Sequence, residues 1–396
     1  MDTSLKSALS SLPEPDQDSL ELSGRLTALI LEEMAENGDR LPFDRYMELA
    51  LYAPGLGYYS NGLRKFGEAG DFVTAPEISP LFGRCIAGQC REAMEQLGDC
   101  DILEFGAGSG RLAADILAEL DRLGHPPQRY LILELSAALR QRQQSLLAEE
   151  LPHLAGRVQW LNRLPERFRG VVVANELIDA MPVQRFRLSE QGTQEQFVRW
   201  EGERLQPFWD EPRTQGLAQS VGALAACYGL PPGYESEINL RARAWIAELA
   251  GCLEEGLALL IDYGYSGREF HHPQRDQGTL ICHYRHRVHT DPFILPGLQD
   301  ITANVDFTAL AEAGETAGFE RIAFTSQAWF LLGGGLERLL AELPGFEQDP
   351  RRHLGQLQAI KRLTLPNEMG ERFKVLGLAK GLKALPSGLA FHSLPL

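Results

Sequence analysis

Residues Asp101–Arg111 read DILEFGAGSGR. Ile102, Leu103 and Phe105 form the short apolar run of a buried parallel strand. Gly106, Gly108 and Gly110 follow. Without a Cβ, such a turn lets a backbone touch a ligand directly. Arg111-Leu-Ala-Ala-Asp-Ile-Leu then opens a helical pattern. The stretch therefore reads as strand, glycine turn and helix, the opening unit of a doubly wound α/β fold.

The spacing of the glycines narrows the ligand. A dinucleotide turn reads G-x-G-x-x-G and sets a pyrophosphate on a helix N-terminus. Here the third glycine comes one residue early, and Glu104 stands two residues before the first. A carboxylate there repels a pyrophosphate and suits a sulfonium or an ammonium. S-adenosylmethionine (SAM) carries both and has no phosphate. The motif points to a methyl donor rather than NAD; the bland alternative is a tight turn with no ligand.

From this unit the pattern alternates outward. Strand Tyr130–Leu135 leads to helix Ala137–Glu149, and strands Arg157–Leu161 and Val171–Ala174 follow. Later come helix Asn239–Leu253, strand Leu257–Tyr263, helix Phe307–Gly318, strand Arg321–Thr325, helices Leu336–Leu343 and Arg351–Leu363, and a last strand, Phe373–Lys380. This predicts a Rossmann-like parallel sheet with helices on both faces. Three regions lie outside it. Residues 1–18 read as a flexible arm. Residues 19–98 read as an N-terminal helical segment whose loop Gly55–Pro80 is long enough to be a substrate lid. The methyltransferase-like domain, 99–396, carries insertions at about 182–238 and 264–302, the first holding a hairpin of Arg185–Arg187 with Gln196–Trp200.

Composition limits the function classes. The net charge is −16 over 396 residues, which disfavours nucleic acid and suits a basic protein segment, or serves solubility alone. The six cysteines form no C-x-x-C pair, so a zinc site is not expected and a reducing compartment is. No apolar run is long enough for a membrane span. The N-terminus shows neither a signal nor a transit pattern. His283, His286 and His289 are interleaved with Arg285 and Arg287. That reads as a basic loop gripping a substrate or an acidic neighbour, not as a metal site.

Candidate site residues fall at strand ends, where open α/β sheets bind ligands. Glu134 ends the second strand, 24 residues beyond Gly110. It either accepts both ribose hydroxyls of an adenosine or is a solvated acid. Leu135 follows it. Asn175 and Glu176 end the fourth strand, facing the donor. If that segment turns helically, Glu176 and Asp179 share a face and can clamp a guanidinium. The bland alternative is that Asn175 caps the helix and both acids merely favour its positive end. Asp262 and Tyr263 end the fifth strand, where Asp262 reads either as a site residue or as a turn former before Gly264.

GDFVTAPEISPLFGR, LEFGAGSGRLAADIL, ANELIDAMPVQRF, IDYGY, GTLICHYRHRV, DITANVDFTAL and MGERFKVL occur in order. Together they resemble the MidA-like family of SAM-dependent methyltransferases, from about Leu20 to Lys380. The resemblance implies a class I methyltransferase fold with SAM as cofactor. Glu104, Gly106, Ala107, Gly108, Gly110, Glu134, Leu135, Asn175 and Glu176 would bind the donor. Glu176 and Asp179, with Asp71 and Glu77 from the loop signature Gly70, Asp71, Phe72, Pro76 and Glu77, would act on the substrate. The family's mitochondrial member methylates an arginine of a respiratory complex I subunit, so arginine N-methylation of a partner protein is expected. Lacking a presequence, the chain is expected to be a bacterial, cytoplasmic member; a homodimer stays open. Two other readings are a small-molecule or RNA methyltransferase and a non-catalytic, SAM-binding assembly chaperone.

Overall fold

The structure, a computed structural model, describes residues 12–61, 74–343 and 349–396. They divide into two compact units. One takes 12–61, Asp179–Ala242 and Arg268–Asn304; the other takes 74–178, Arg243–Gly267 and the described part of Val305–Leu396.

The second unit is built on the strand Asp101–Phe105, which is buried at every position. It pairs in parallel with Tyr130–Leu133 on one side and Phe168–Asn175 on the other. Val158–Leu161 extends the sheet beyond Tyr130–Leu133, and Leu253–Tyr265 extends it beyond Phe168–Asn175. Phe373–Lys380 then runs antiparallel, and Arg321–Ser326 closes the edge. Numbered along the chain, these seven strands lie in the order 3-2-1-4-5-7-6, and Val305–Asp306 adds a short eighth off Leu253–Tyr265. The order reverses between Asp101–Phe105 and Phe168–Asn175, which makes their carboxyl ends the switch point where ligands bind.

Alternation along the strands feeds two cores. Ile102, Tyr130, Ile132, Val171, Val173, Leu257 and Leu259 pack against Phe82, Ile86, Ala113 and Ile116. These come from the helices Pro80–Leu97 and Arg111–Arg122. On the opposite face Phe105 meets Trp245 edge-on at 5.1 Å, and Phe324 packs on Phe307 at 5.2 Å. Helices on both faces are thus present, as the alternating pattern predicts. The helix Pro80–Leu97 belongs to this sheet. The sequence division had grouped it with the N-terminal segment, but its apolar face is needed to cover the parallel strands.

The other unit has its own sheet. Gln184–Ser189 and Gly192–Glu201 form the expected hairpin, with Ser189 opposite Gly192. Leu41–Pro42, Arg204–Asp210 and Glu235–Ile238 complete five strands. Leu26, Ile30 and Met34 of the helix Gln17–Glu36 pack with Phe43, Tyr46, Val183, Val198, Cys282 and Ile301. The stretches read as insertions thus gather around the N-terminal helices, because each alone has too little apolar surface to bury.

Within Arg268–Asn304 three short strands, Ile281–Tyr284, Arg287–His289 and Asp300–Thr302, form a small sheet. Arg285 and His286 both take positive φ, at the tip of the first hairpin. Arg285 reaches the carbonyl of Glu14 at 2.9 Å and the carboxylate of Asp16 at 3.1 Å. The basic loop therefore grips an acidic neighbour. Of the expected flexible arm, residues 1–11 lie outside the described residues. From Leu12, which packs with Tyr284, Ile294 and Leu298, the chain is held. Asp16 caps the first helix by accepting from the Ser19 amide at 2.9 Å.

Candidate functional site

The glycine turn forms as its sequence requires. Gly106, Gly108 and Gly110 take φ of +60°, +53° and +86°, a region open to glycine and strained for most residues. Gly106 donates its amide to the Leu133 carbonyl at 3.0 Å. The helix Arg111–Arg122 begins directly after Gly110. Ala107 is buried within the turn. Ser109 donates its hydroxyl to the Glu77 carboxylate, so the short helix Ala75–Ile78 reaches the turn. The spacing of motifs alone had not paired those two residues. Asp71, with Gly70 and Phe72, lies outside the described residues.

Glu104 is buried, and its carboxyl accepts from the Tyr130 hydroxyl at 2.8 Å. Burial, with the Glu134 charge adding to it, pushes this carboxyl up to about 8 despite the tyrosine's opposing bond. Glu134 directly follows Leu133, the last residue of the next strand, and its charge is felt at Glu104. Burial raises its pKa too, while the Ser136 amide at 2.9 Å and the Gln143 side chain at 3.1 Å favour its charged form. Leu135, beside it, is 77% exposed, an apolar surface next to the acid.

The fourth strand ends differently from the helical reading. Asn175 is its last residue, and Glu176 takes φ +50°. Its amide donates to the Ile261 carbonyl at 2.9 Å. The next two residues turn without forming a helix. Asp262, almost wholly buried, enforces this: its Oδ2 accepts from the Ile178 amide and its Oδ1 from the Tyr263 amide, both at 2.9 Å. Asp262 thus ties the Ile178 amide to the fifth strand, and residues 176–178 form no helix. Two expectations are corrected. Glu176 and Asp179 share no helical face, and Asn175 caps no helix. Asp179 belongs to the other compact unit, where its carbonyl accepts from the Ala303 amide at 3.0 Å. In that unit Tyr59 donates to Asp300 at 2.9 Å and stacks on Tyr52 at 5.5 Å.

Asn175 adds a further polar group at the switch point. Its amide nitrogen donates to the Glu176 carboxylate at 3.2 Å. Its buried oxygen has no hydrogen-bond partner among the described residues. A buried acceptor left open in this way is one that a bound donor satisfies. A turn with three glycines at positive φ, two buried carboxyls and an open amide oxygen suit an adenosyl amino acid. Among the described residues no cluster of three or more His, Cys, Asp or Glu is arranged to hold a metal, and no helix is long and apolar enough to cross a membrane.

Known proteins agree with this chemistry. The profile of a family described as S-adenosyl-L-methionine-dependent methyltransferases matches residues 85–325. Human mitochondrial protein arginine methyltransferase NDUFAF7 is 30% identical, over 84% of this chain and 78% of its own. The mitochondrial NDUFAF7 homolog of Drosophila melanogaster is 28% identical over 94% of this chain and 89% of its own. A crystal structure from Burkholderia thailandensis, bound to S-adenosyl-homocysteine, is 42% identical with a TM-score of 0.91, over 97% of this chain and 99% of that one. The glycine turn, the Glu134 strand end and the Asn175 strand end all lie within the matched profile, and the chain belongs to this family of SAM-dependent methyltransferases.

Proposed function

We propose that this enzyme transfers a methyl group from SAM to an arginine side chain of a partner protein. The observation that carries the reading is the Glu176 carboxylate. It is held at the end of the switch-point strand by a left-handed backbone, in a chain whose relatives are named for arginine methylation. A non-glycine residue in that conformation costs about 1–3 kcal/mol and clusters where function requires a fixed direction.

When bound, SAM supplies an electrophilic methyl carbon on a sulfonium. Gly106, Ala107, Gly108 and Gly110 give it close backbone approach. Glu134 takes the ribose hydroxyls, Leu135 offers apolar surface to the base, and Glu104 with Asn175 faces its amino-acid end. Glu77, which accepts from Ser109, is proposed as a further contact to the substrate beside the turn. A guanidinium is protonated and a poor nucleophile. The Glu176 carboxylate orients it and draws positive charge away from the attacking nitrogen. For Asp71 and Asp179 a role toward the substrate is proposed from the family resemblance alone. The net charge of −16 suits a basic segment as substrate. Six unpaired thiols suit a reducing, cytoplasmic compartment, and the Burkholderia relative suits a bacterial source.

Incubation with methyl-labelled SAM and an extract of the source cells tests the reading. Label should enter protein and survive as methylarginine after hydrolysis. Label confined to RNA or to small molecules, or absent altogether, contradicts it.

A further inference from the structure

Gln143 carries no signal in the sequence. It sits on the helix Ala137–Glu150, whose run AALRQRQQSLLAEE is polar nearly throughout. Yet it is fully buried. Its side-chain nitrogen donates to the Gly108 carbonyl at 3.0 Å and to the Glu134 carboxylate at 3.1 Å. Its oxygen accepts from the Trp160 indole at 2.9 Å. An indole N–H can only donate, so it fixes which way the amide faces. Both amide hydrogens are then committed to the turn and to the acid.

Two consequences follow from this geometry. A carboxylate offers about four lone-pair sites. Ser136 fills one on one oxygen, Gln143 one on the other, and the Leu135 amide also bonds the acid, so what remains is the capacity open to a ribose hydroxyl. The third glycine also gains a reason. A Cβ at Gly110 would lie 3.2 Å from both Cα and Cγ of Gln143, tighter than ordinary packing. The early glycine of G-x-G-x-G thus makes room for Gln143 as well as for a ligand.

We propose that Gln143, locked by Trp160, is a positioning residue that joins the glycine turn to Glu134 and sets the enzyme's preference for a ribose over a deoxyribose donor. The proposal rests on the reading of Glu134 as the ribose-binding acid. Gln143 does not touch the donor itself. It aims the acid and favours its charged form, because amide donors to that form oppose the effect of burial.

Calorimetry with S-adenosylhomocysteine and its 2′-deoxy analogue tests this on four proteins: wild type, Gln143→Leu, Trp160→Phe and Glu134→Ala. The wild type should prefer the ribose ligand by roughly tenfold or more, the scale of one hydrogen bond to a charged group. Gln143→Leu should lower the preference to near one. Trp160→Phe keeps an aromatic ring at a partly exposed position, removes the indole N–H and frees the amide to flip, so the preference should fall by roughly two- to fivefold. If Gln143→Leu does not fold, Trp160→Phe decides alone. A role in packing only would weaken both ligands by the same factor and leave the preference intact; that result, with Glu134→Ala abolishing the preference, overturns the proposal and keeps the ribose reading. A wild type without preference, and Glu134→Ala indifferent to both ligands, overturns the ribose reading and the lock together.

Discussion

The hydroxyl of Tyr130 donates to the Glu104 carboxyl at 2.8 Å inside the sheet. Burial holds that carboxyl up to about 8, against an ordinary value of 4.5. The folded protein therefore keeps a proton that the unfolded chain gives up between those values. The stability contribution is fully present below about 4.5 and is lost as pH rises through about 8. Glu104→Gln keeps the shape and cannot titrate. Relative to it, the wild type should lose up to about 1.4 kcal/mol per pH unit across that window. Chemical denaturation of both proteins at pH 5, 6.5 and 8 measures the difference. Parallel stability curves would show that Glu104 does not titrate there.

Gly106→Val should abolish donor binding without unfolding the protein. The position has φ +60°, and any Cβ there would stand 3.3 Å from Leu177 Cδ1. A branched side chain strains the turn and fills the cradle. Calorimetry should find no S-adenosylhomocysteine binding, with the circular dichroism spectrum unchanged. Native affinity in the variant would move the ligand away from the turn.

Asp262→Asn isolates the turn after the fourth strand. The aspartate accepts from the Ile178 and Tyr263 amides at 2.9 Å, and an asparagine serves only one of them. A buried N–H left without an acceptor costs about 1–3 kcal/mol. Thermal and denaturant unfolding should show that loss. An unchanged midpoint would mean the turn is held by other contacts.

Much of this was legible in the sequence, and the reasons are specific. Asp101–Phe105 declared itself because both faces of a central parallel strand are apolar. The glycines declared themselves because few other residues tolerate positive φ. The hairpin was read from Arg185–Arg187 and Gln196–Trp200, and its strands extend to Gln184–Ser189 and Gly192–Glu201. Gln143 was invisible because one buried amide on a polar helix leaves no periodicity. The helical reading of Glu176–Asp179 failed because the deciding partner, Asp262, lies 83 positions from Asp179 in the chain. The regrouping of 182–238 and 264–302 with the N-terminal helices rests on long-range packing, which local patterns do not encode.

Glu176→Gln separates catalysis from donor binding. The change removes charge and keeps shape. Affinity for S-adenosylhomocysteine should change little, while methyl transfer falls by roughly 10²-fold, as expected for loss of a preorganised electrostatic contact. Single-turnover rates on labelled substrate give the chemistry, and calorimetry gives the binding. A full-rate variant would remove Glu176 from the mechanism.

Site-resolved mass spectrometry of methylarginine, in source cells with and without this protein, tests the central claim most directly. The account predicts at least one protein whose arginine loses its methyl group in the deleted strain. Wild type should restore it, and Gly106→Val should not. An arginine methylome identical in both strains, with a methylated metabolite or RNA lost instead, would contradict it.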